Sequence, residues 1–175
     1  MISFKEFLAE ARMSPLYHAT LYERGASILA DNYMRPGGEE PGLNKRTVSL
    51  TRDFTFAKAW IYEMGGIDDG MIFEIDQLKL SHKYKIVPYS YFGQREIGYM
   101  DSARRIPTSK FESPGKNYHF DNQFEEAVIG PIKDFKKYVT KIYISEIHRN
   151  YEKNVKTLRK YNIPIYSYKT RKIIN

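Results

Sequence analysis

Apolar residues recur along the 175-residue chain in short runs separated by polar stretches. Runs of about four to eight β-branched and aromatic residues predict strands, whereas an apolar repeat of about 3.6 residues predicts amphipathic helices. Because strands and helices do not alternate strictly, the pattern predicts a single α+β domain. Strands are predicted at 16–19, 47–51, 71–75, 84–87, 124–129, 138–145 and 163–168, and helices at 22–30, 54–64 and 150–161.

Two stretches interrupt this pattern. Residues 35–42 are rich in Gly, Pro and Glu and predict an irregular loop, a candidate lid. Residues 88–120 mix Gly, Pro, Ser and charged residues, so no continuous element is expected there.

Composition excludes several classes of protein. The chain has 15 Tyr, 10 Phe and no Cys, so it can build an aromatic core but has no disulfide, thiolate metal site or cysteine nucleophile. No apolar run approaches the roughly 18 residues of a membrane span, and no membrane partner is expected. The four His are scattered without metal-ligand spacing, and no metal cofactor is expected either.

Basic residues outnumber acidic ones by 28 to 21, which gives a net charge of +7. The excess lies in the C-terminal third, where residues 133–172 contain twelve Lys or Arg against Asp134, Glu146 and Glu152. This distribution suits a polyanionic partner such as DNA, but it also suits an ordinary solvated surface. Both interpretations remain open at this point.

The segment Leu16-Tyr17-His18-Ala19-Thr20 resembles the first motif of the ADP-ribosyltransferase fold. In that family a strand ends in His, followed two residues later by Thr or Ser. The resemblance implies that His18 and Thr20 bind the adenosine ribose of NAD, and an imidazole can hydrogen-bond a ribose diol. The alternative is a strand-end histidine satisfied by backbone groups.

A second segment, Ser49-Leu50-Thr51 followed by a helix that carries Trp60, is similar to the central segment of the same family. The resemblance implies that Ser49 and Thr51 line the nicotinamide pocket and that Trp60 stacks on nicotinamide. Trp60 stands where the His-Tyr-Glu branch has Tyr, and an indole also stacks on a pyridinium ring. Alternatively, Trp60 is a core residue that packs against Phe56 on an amphipathic helix.

The third segment contains Gln123, Glu125 and Glu126 at the start of an apolar strand. It resembles the Gln-x-Glu pairing that carries the catalytic Glu in arginine- and asparagine-directed members of the family. Period-2 alternation places Gln123 and Glu125 on one sheet face, and Glu126 on the other with Val128. The resemblance therefore implies Glu125 as catalytic carboxylate with Gln123 beside it, unless Glu125 is simply a solvated edge residue.

Residues 1–12 are predicted to form a separate N-terminal helix, and residues 13–175 the ADP-ribosyltransferase-like domain. The first eleven residues resemble the leader of internal head proteins of T4-like bacteriophages, which is cleaved after a Leu-x-Glu site. That resemblance implies cleavage between Glu10 and Ala11. An ordinary first helix is the alternative.

Together the resemblances imply two short packed sheets that form a cleft, with peripheral helices. They further imply a phage NAD-dependent mono-ADP-ribosyltransferase, packaged in the phage head, delivered into the host cytoplasm, and acting on an unknown host macromolecule. A catalytically inactive internal head protein that binds DNA or inhibits a host defence protein is the main alternative. RNA 2′-phosphotransferase chemistry would need an array of phosphate ligands that is not recognisable in the sequence.

Overall fold

The computed structural model describes residues 14–37, 46–64, 68–88, 125–148 and 150–174. The predicted N-terminal helix and nearly all of 88–120 lie outside these residues. Within them the strands are β1 Leu16–Leu21, β2 Tyr33–Met34, β3 Thr47–Thr51, β4 Gly70–Ile75, β5 Ile86–Pro88, β6 Glu125–Ile129, β7 Ile132–Lys133, β8 Val139–Ile144 and β9 Ile165–Ser167. The helices are α1 Tyr22–Asp31, α2 Phe54–Glu63, α3 Gln77–Ser81 and α4 Tyr151–Arg159.

Seven strands form one sheet in the order β5-β6-β3-β1-β4-β8-β9, and β2 pairs with β7 in a separate ribbon. Neighbouring strands of the large sheet are antiparallel except β8 and β9, which are parallel. The predicted α+β class with peripheral helices is therefore confirmed.

The large sheet is nearly divided between β1 and β3. These strands share the single register pair Tyr17↔Thr51, whereas β1 and β4 pair continuously from Leu16↔Ile75 to Leu21↔Gly70. The two predicted sheets are thus the two halves of one sheet, joined at one residue pair. Beyond the Tyr17↔Thr51 pair, β1 and β3 separate and leave an opening in the sheet. Contacts across this opening involve side chains.

One side of the sheet packs against α1 and α4 around Leu29, Phe73, Phe135 and Leu158, all fully buried. Gly25 lets α1 approach β4 closely, because a Cβ at this position would collide with the Met71 sulfur. Strands β1 and β4 are therefore fixed firmly from this side.

The other side of the sheet is covered by α2. Asp53 caps this helix, since its Oδ1 accepts from the backbone N–H of Thr55 at 2.7 Å. Buried Ala57 and Ile61 of α2 face the sheet, where they belong to the same apolar cluster as Ile72. The capping residue and the apolar spacing thus determine both where α2 begins and which face it buries.

The predicted strands and helices within the described residues are all present, with bounds shifted by no more than three residues. Four short elements of the described residues were not predicted: β2, α3, β7 and a 3-10 helix at Phe135–Lys137. Each spans two to five residues, too short for a periodic pattern, and their positions are set by contacts such as Met34↔Ile132. No helix of the described part of the chain is long and apolar enough to cross a membrane.

Candidate functional site

A cavity of about 260 Å³ lies between α2 and the opening in the sheet. Its wall is formed by β1, by β3 and by the sheet-facing side of α2. The lining residues are Tyr17, His18, Ala19, Ser49, Leu50, Thr51, Phe56, Ala57, Trp60 and Met64. Four of the residues singled out in the sequence, His18, Ser49, Thr51 and Trp60, therefore meet at one cavity.

His18 connects the two halves of the sheet where their backbone pairing stops. Its Nδ1–H donates a hydrogen bond of 2.9 Å to the carbonyl oxygen of Ser49. A carbonyl can only accept, so Nδ1 carries the proton and Nε2 of the neutral ring is an acceptor. The ring also stacks on Phe73, with a centroid distance of 6.5 Å.

Burial lowers the pKa of His18, and the hydrogen bond to Ser49 offsets this only in part. The imidazole is therefore neutral at neutral pH. A neutral ring with a fixed tautomer presents one hydrogen-bond acceptor in a defined position, which suits a ribose hydroxyl better than an anion.

Trp60 and Phe56 lie one turn apart on α2 and pack edge to face at a centroid distance of 5.9 Å. Both are partly exposed and both line the cavity, whereas Ala57 between them is fully buried. Trp60 packs against Phe56, as the alternative expected, but it is not fully buried in the core. Its indole is held by a neighbour on one side and borders the cavity on the other.

Ser49 and Thr51 line the cavity from β3, but Thr20 does not. Thr20 is buried opposite Met71, where its methyl group packs near Gly25 of α1. The His-x-Thr spacing places His18 and Thr20 on the same side of β1, and α1 covers that side at Thr20.

The carboxylate candidates lie on β6, the strand next to β3. Glu125 pairs with Thr51 across the two strands, so its register position belongs to the row that lines the cavity. Glu126 pairs with Leu50 and is only 6% exposed, in agreement with its predicted position on the other face. Gln123, Glu10 and Ala11 lie outside the described residues.

Arg52 is a residue that the sequence analysis missed. Its Nε lies 2.6 Å from Oε1 of Glu126, and the side chains are 26% and 7% exposed. Burial raises the pKa of Glu126, and the attraction of Arg52 offsets only part of that effect. The only signal available in the sequence was a basic residue directly after the hydroxyl-bearing strand.

Tyr17 is the second residue that was missed, although it precedes His18 in the same motif. Its ring lines the cavity and packs edge-on against Phe54 of α2 at 5.4 Å. Its cross-strand partner is Glu74, a buried carboxylate that accepts hydrogen bonds from Tyr143 at 2.7 Å and from Thr140 at 3.0 Å. A polar network therefore supports the Tyr17 end of the cavity.

The described residues contain no group of three or more His, Cys, Asp or Glu side chains arranged to hold a metal ion. The site as described consists of a neutral imidazole, hydroxyls, aromatic rings and a nearby Arg–Glu pair.

No protein-family model matches the sequence, and no curated protein matches it. The fold, however, is similar to that of solved ADP-ribosyltransferase structures.

The similar structures include DarT proteins. Thermus sp. 2.9 DarT in complex with NAD+ gives a TM-score of 0.54 at 9% identity, covering 86% of this chain and 90% of that chain. The same protein in complex with ADP-ribosylated single-stranded DNA gives 0.55 at 10% identity with equal coverage. Thermosipho africanus DarTG in complex with ADP-ribose gives 0.53 at 14% identity, covering 87% of this chain and 49% of that chain. At these identities the similarity defines the fold.

Proposed function

We propose that the protein is an NAD-dependent mono-ADP-ribosyltransferase. The observation that carries the proposal is the convergence of His18, Ser49, Thr51 and Trp60 on one cavity at the opening in the sheet. These residues come from three separate elements, and the same positions were assigned to NAD from sequence motifs. The structures with the same fold contain NAD+ and ADP-ribose, which supports NAD as the substrate here.

The cavity fits part of the dinucleotide. Its volume of about 260 Å³ lies just below the roughly 300–1,000 Å³ of typical ligand pockets. We assign nicotinamide to the part of the cavity lined by Trp60, Ser49 and Thr51, because an indole face can stack on the cationic ring. We assign to Nε2 of His18 the acceptance of a hydrogen bond from a ribose hydroxyl.

The reaction requires a carboxylate near the ribose. As the bond between C1′ and the nicotinamide nitrogen breaks, its electron pair goes to nicotinamide and positive charge develops on the ribose. A nearby carboxylate stabilises that charge in the transition state. We assign this role to Glu125, because Glu125 is in register with the cavity residue Thr51, and Gln123 two residues earlier would share its face. Glu126 with Arg52 is the competing carboxylate.

The acceptor completes the reaction by bonding to C1′ and releasing a proton. One solved structure of the same fold contains ADP-ribosylated single-stranded DNA, and this chain carries a net charge of +7. We therefore propose a nucleic-acid base as the first acceptor class to test, within the wider expectation of a host macromolecule.

The test is incubation with NAD labelled on its adenylate part, in the presence of either single-stranded oligonucleotides or a bacterial protein extract. We expect nicotinamide release together with label on the oligonucleotide, and a reduction of both at subsaturating NAD in the variant Trp60→Ala. Label on protein instead would identify the acceptor as a protein, and it would still support ADP-ribosyltransferase activity. No nicotinamide release with either acceptor would overturn the proposal in favour of an inactive binding protein.

We also propose, from the leader resemblance alone, that the chain belongs to a bacteriophage, is packaged in the phage head and enters the host cytoplasm with the genome. Cleavage after Glu10 would leave a mature chain that begins at Ala11. Intact-mass measurement of virion proteins tests this directly. A virion chain that still begins at Met1 would contradict it.

A further inference from the structure

We propose that five cations around the C-terminal turn form a binding surface for the phosphates of single-stranded nucleic acid. The C-terminal turn surface, as we define it, consists of Lys58, Lys141, Lys169, Arg171 and Lys172. The role of the bound strand as acceptor of ADP-ribose rests on the proposed function. The binding of the strand to this surface does not depend on that function.

The turn that presents these cations is tightly built. The Oγ of Ser167 accepts from the backbone N–H groups of Lys169 and Thr170 at 3.2 and 3.1 Å. The chain then reverses, with the backbone N–H of Ser167 donating to the carbonyl of Lys172 at 2.9 Å. Arg171, at the centre, has a left-handed backbone with φ of 56°. Such a conformation is uncommon for residues other than Gly and Asn and costs about 1 kcal/mol or more.

Three of the cations lie over aromatic rings. The guanidinium of Arg171 is 4.1 Å from the ring centre of Phe54, Lys58 is 5.6 Å from that of Tyr168, and Lys141 is 5.6 Å from that of Tyr166. A guanidinium stacked on a ring keeps its N–H donors at its edge, where they can bind a phosphate in bidentate fashion. Since Phe54 and Tyr168 are nearly fully buried, the cations are held by a rigid base.

The surface adjoins the cavity. Phe54, which carries Arg171, packs against Tyr17 at 5.4 Å, and Tyr17 lines the cavity wall. A strand bound along the turn would therefore pass the Tyr17 end of the cavity. A base that reacts there must leave its stack, which is easiest in a single strand.

The charge balance of the surface favours an anionic partner. Glu74 is paired with Lys141 at 2.9 Å, and Asp53 is engaged as the helix cap. Lys169, Arg171 and Lys172 are all exposed, and within the described part of the chain no acidic residue follows Glu152. Exposed Asp68 lies near Tyr168, but the five cations still outnumber Glu74, Asp53 and Asp68, so the surface keeps an excess of positive charge.

The basic residues of α4 provide a matched control. Lys153 and Lys156 of α4, and Lys160 directly after it, are also exposed and carry the same number of charges as Lys169, Arg171 and Lys172. Helix α4, however, packs on the other side of the sheet from α2. If net charge alone governs binding, neutralising either set has the same effect. If the turn surface binds nucleic acid specifically, only neutralising Lys169, Arg171 and Lys172 weakens binding.

The experiment measures binding of a short fluorescent single-stranded oligonucleotide over a range of salt concentrations. One variant carries Lys169→Gln, Arg171→Asn and Lys172→Gln, because Asn tolerates the left-handed backbone. The control carries Lys153→Gln, Lys156→Gln and Lys160→Gln. We expect the turn variant to bind at least about tenfold more weakly at low salt, with a salt slope lower by roughly 0.7 for each phosphate that the variant no longer neutralises. The control should change by less than about twofold.

Equal losses in both variants, or none in either, would overturn the proposed surface, as would tighter binding of the matching duplex. Thermal melting of both variants excludes unfolding as the cause. NAD cleavage is measured in the same samples, because loss of NAD turnover by the turn variant would assign these cations to the dinucleotide instead. Specific oligonucleotide binding without any NAD cleavage would leave the surface standing and reject the proposed enzyme.

Discussion

The Nε atom of Arg52 lies 2.6 Å from Oε1 of Glu126, and this pair joins the end of β3 to the start of β6. Glu126 is almost inaccessible to solvent, while Arg52 remains partly exposed. The arginine therefore retains part of its hydration while the carboxylate loses nearly all of its own. That asymmetry explains why burial raises the pKa of Glu126 despite so close a cation.

Stability should depend on pH through Glu126. Its pKa in the folded protein lies above the unfolded value of 4.5, so the native state binds more protons between these two values. The contribution of Glu126 to the free energy of unfolding therefore falls as pH rises through that interval. Glu126→Gln does not titrate, so we expect the stability of the wild type relative to this variant to fall as pH rises above 4.5. Urea unfolding at each pH measures it, and a difference that rises with pH would contradict the raised pKa.

The two adjacent carboxylates are separated by their effects on turnover. Glu125→Gln keeps the shape of the side chain but removes its charge, so we expect a loss on the order of 10² to 10³ in the rate of nicotinamide release, with NAD binding largely retained. Glu126→Gln should be milder. Single-turnover kinetics on both variants decides between them, and the reverse order would identify Glu126 and Arg52 as the catalytic pair.

His18 should bind NAD as a neutral acceptor. Removing one hydrogen bond in His18→Ala is expected to cost about 0.5–1.5 kcal/mol of NAD binding, or roughly 2- to 10-fold in affinity. Calorimetric titration with NAD measures the loss. An unchanged affinity would mean that the imidazole serves only to join β1 to β3 through Ser49.

The lowered pKa of His18 predicts a second pH effect. Because the unfolded histidine binds a proton near pH 6.5 and the folded one only at lower pH, wild-type stability should decrease as pH falls through and below that value. His18→Asn removes the titrating group and should flatten this part of the profile. Thermal melts between about pH 5 and pH 8 compare the two.

Trp60 and Tyr62 provide a matched pair on α2. We expect Trp60→Ala to weaken NAD binding by about tenfold, since it removes a stacking face worth roughly 1 kcal/mol or more. Tyr62 is 52% exposed and does not line the cavity, so Tyr62→Ala should leave NAD affinity within about twofold. Quenching of tryptophan fluorescence by NAD in the wild type gives an independent readout, and equal effects of the two variants would count against stacking.

Tyr143 should matter for stability. Its hydroxyl donates to the buried Glu74 carboxylate at 2.7 Å, and burial together with this bond raises the pKa of Tyr143. Tyr143→Phe removes the donor and leaves the carboxylate short of a partner, at a cost of about 1–3 kcal/mol. The exposed Tyr62→Phe should stay within about 0.5 kcal/mol. Chemical denaturation of both variants tests this. Equal stabilities of the two variants would show that Thr140 and Lys141 are sufficient partners for the buried Glu74 carboxylate.

Local chemistry decided those features of the protein that the sequence predicts correctly. Strand β3 is found at Thr47–Thr51 as predicted, because the β-branched residues Thr47, Val48 and Thr51 favour an extended conformation. Helix α2 begins at Phe54 because Asp53 caps it, and capping depends on residues two or three positions apart. The motif residues His18, Ser49 and Trp60 were recognisable because each depends on its own short segment.

Only the tertiary structure decided how these segments meet. Arg52 and Glu126 are 74 residues apart, and Tyr17 and Phe54 belong to different elements, so no local pattern links them. The exclusion of Thr20 from the cavity likewise depends on α1, which packs closely at Gly25. The division of the sheet follows from a single register pair, Tyr17↔Thr51. Strand register and side-chain packing across the sheet are long-range properties, which is why only part of the cavity lining could be predicted from the sequence.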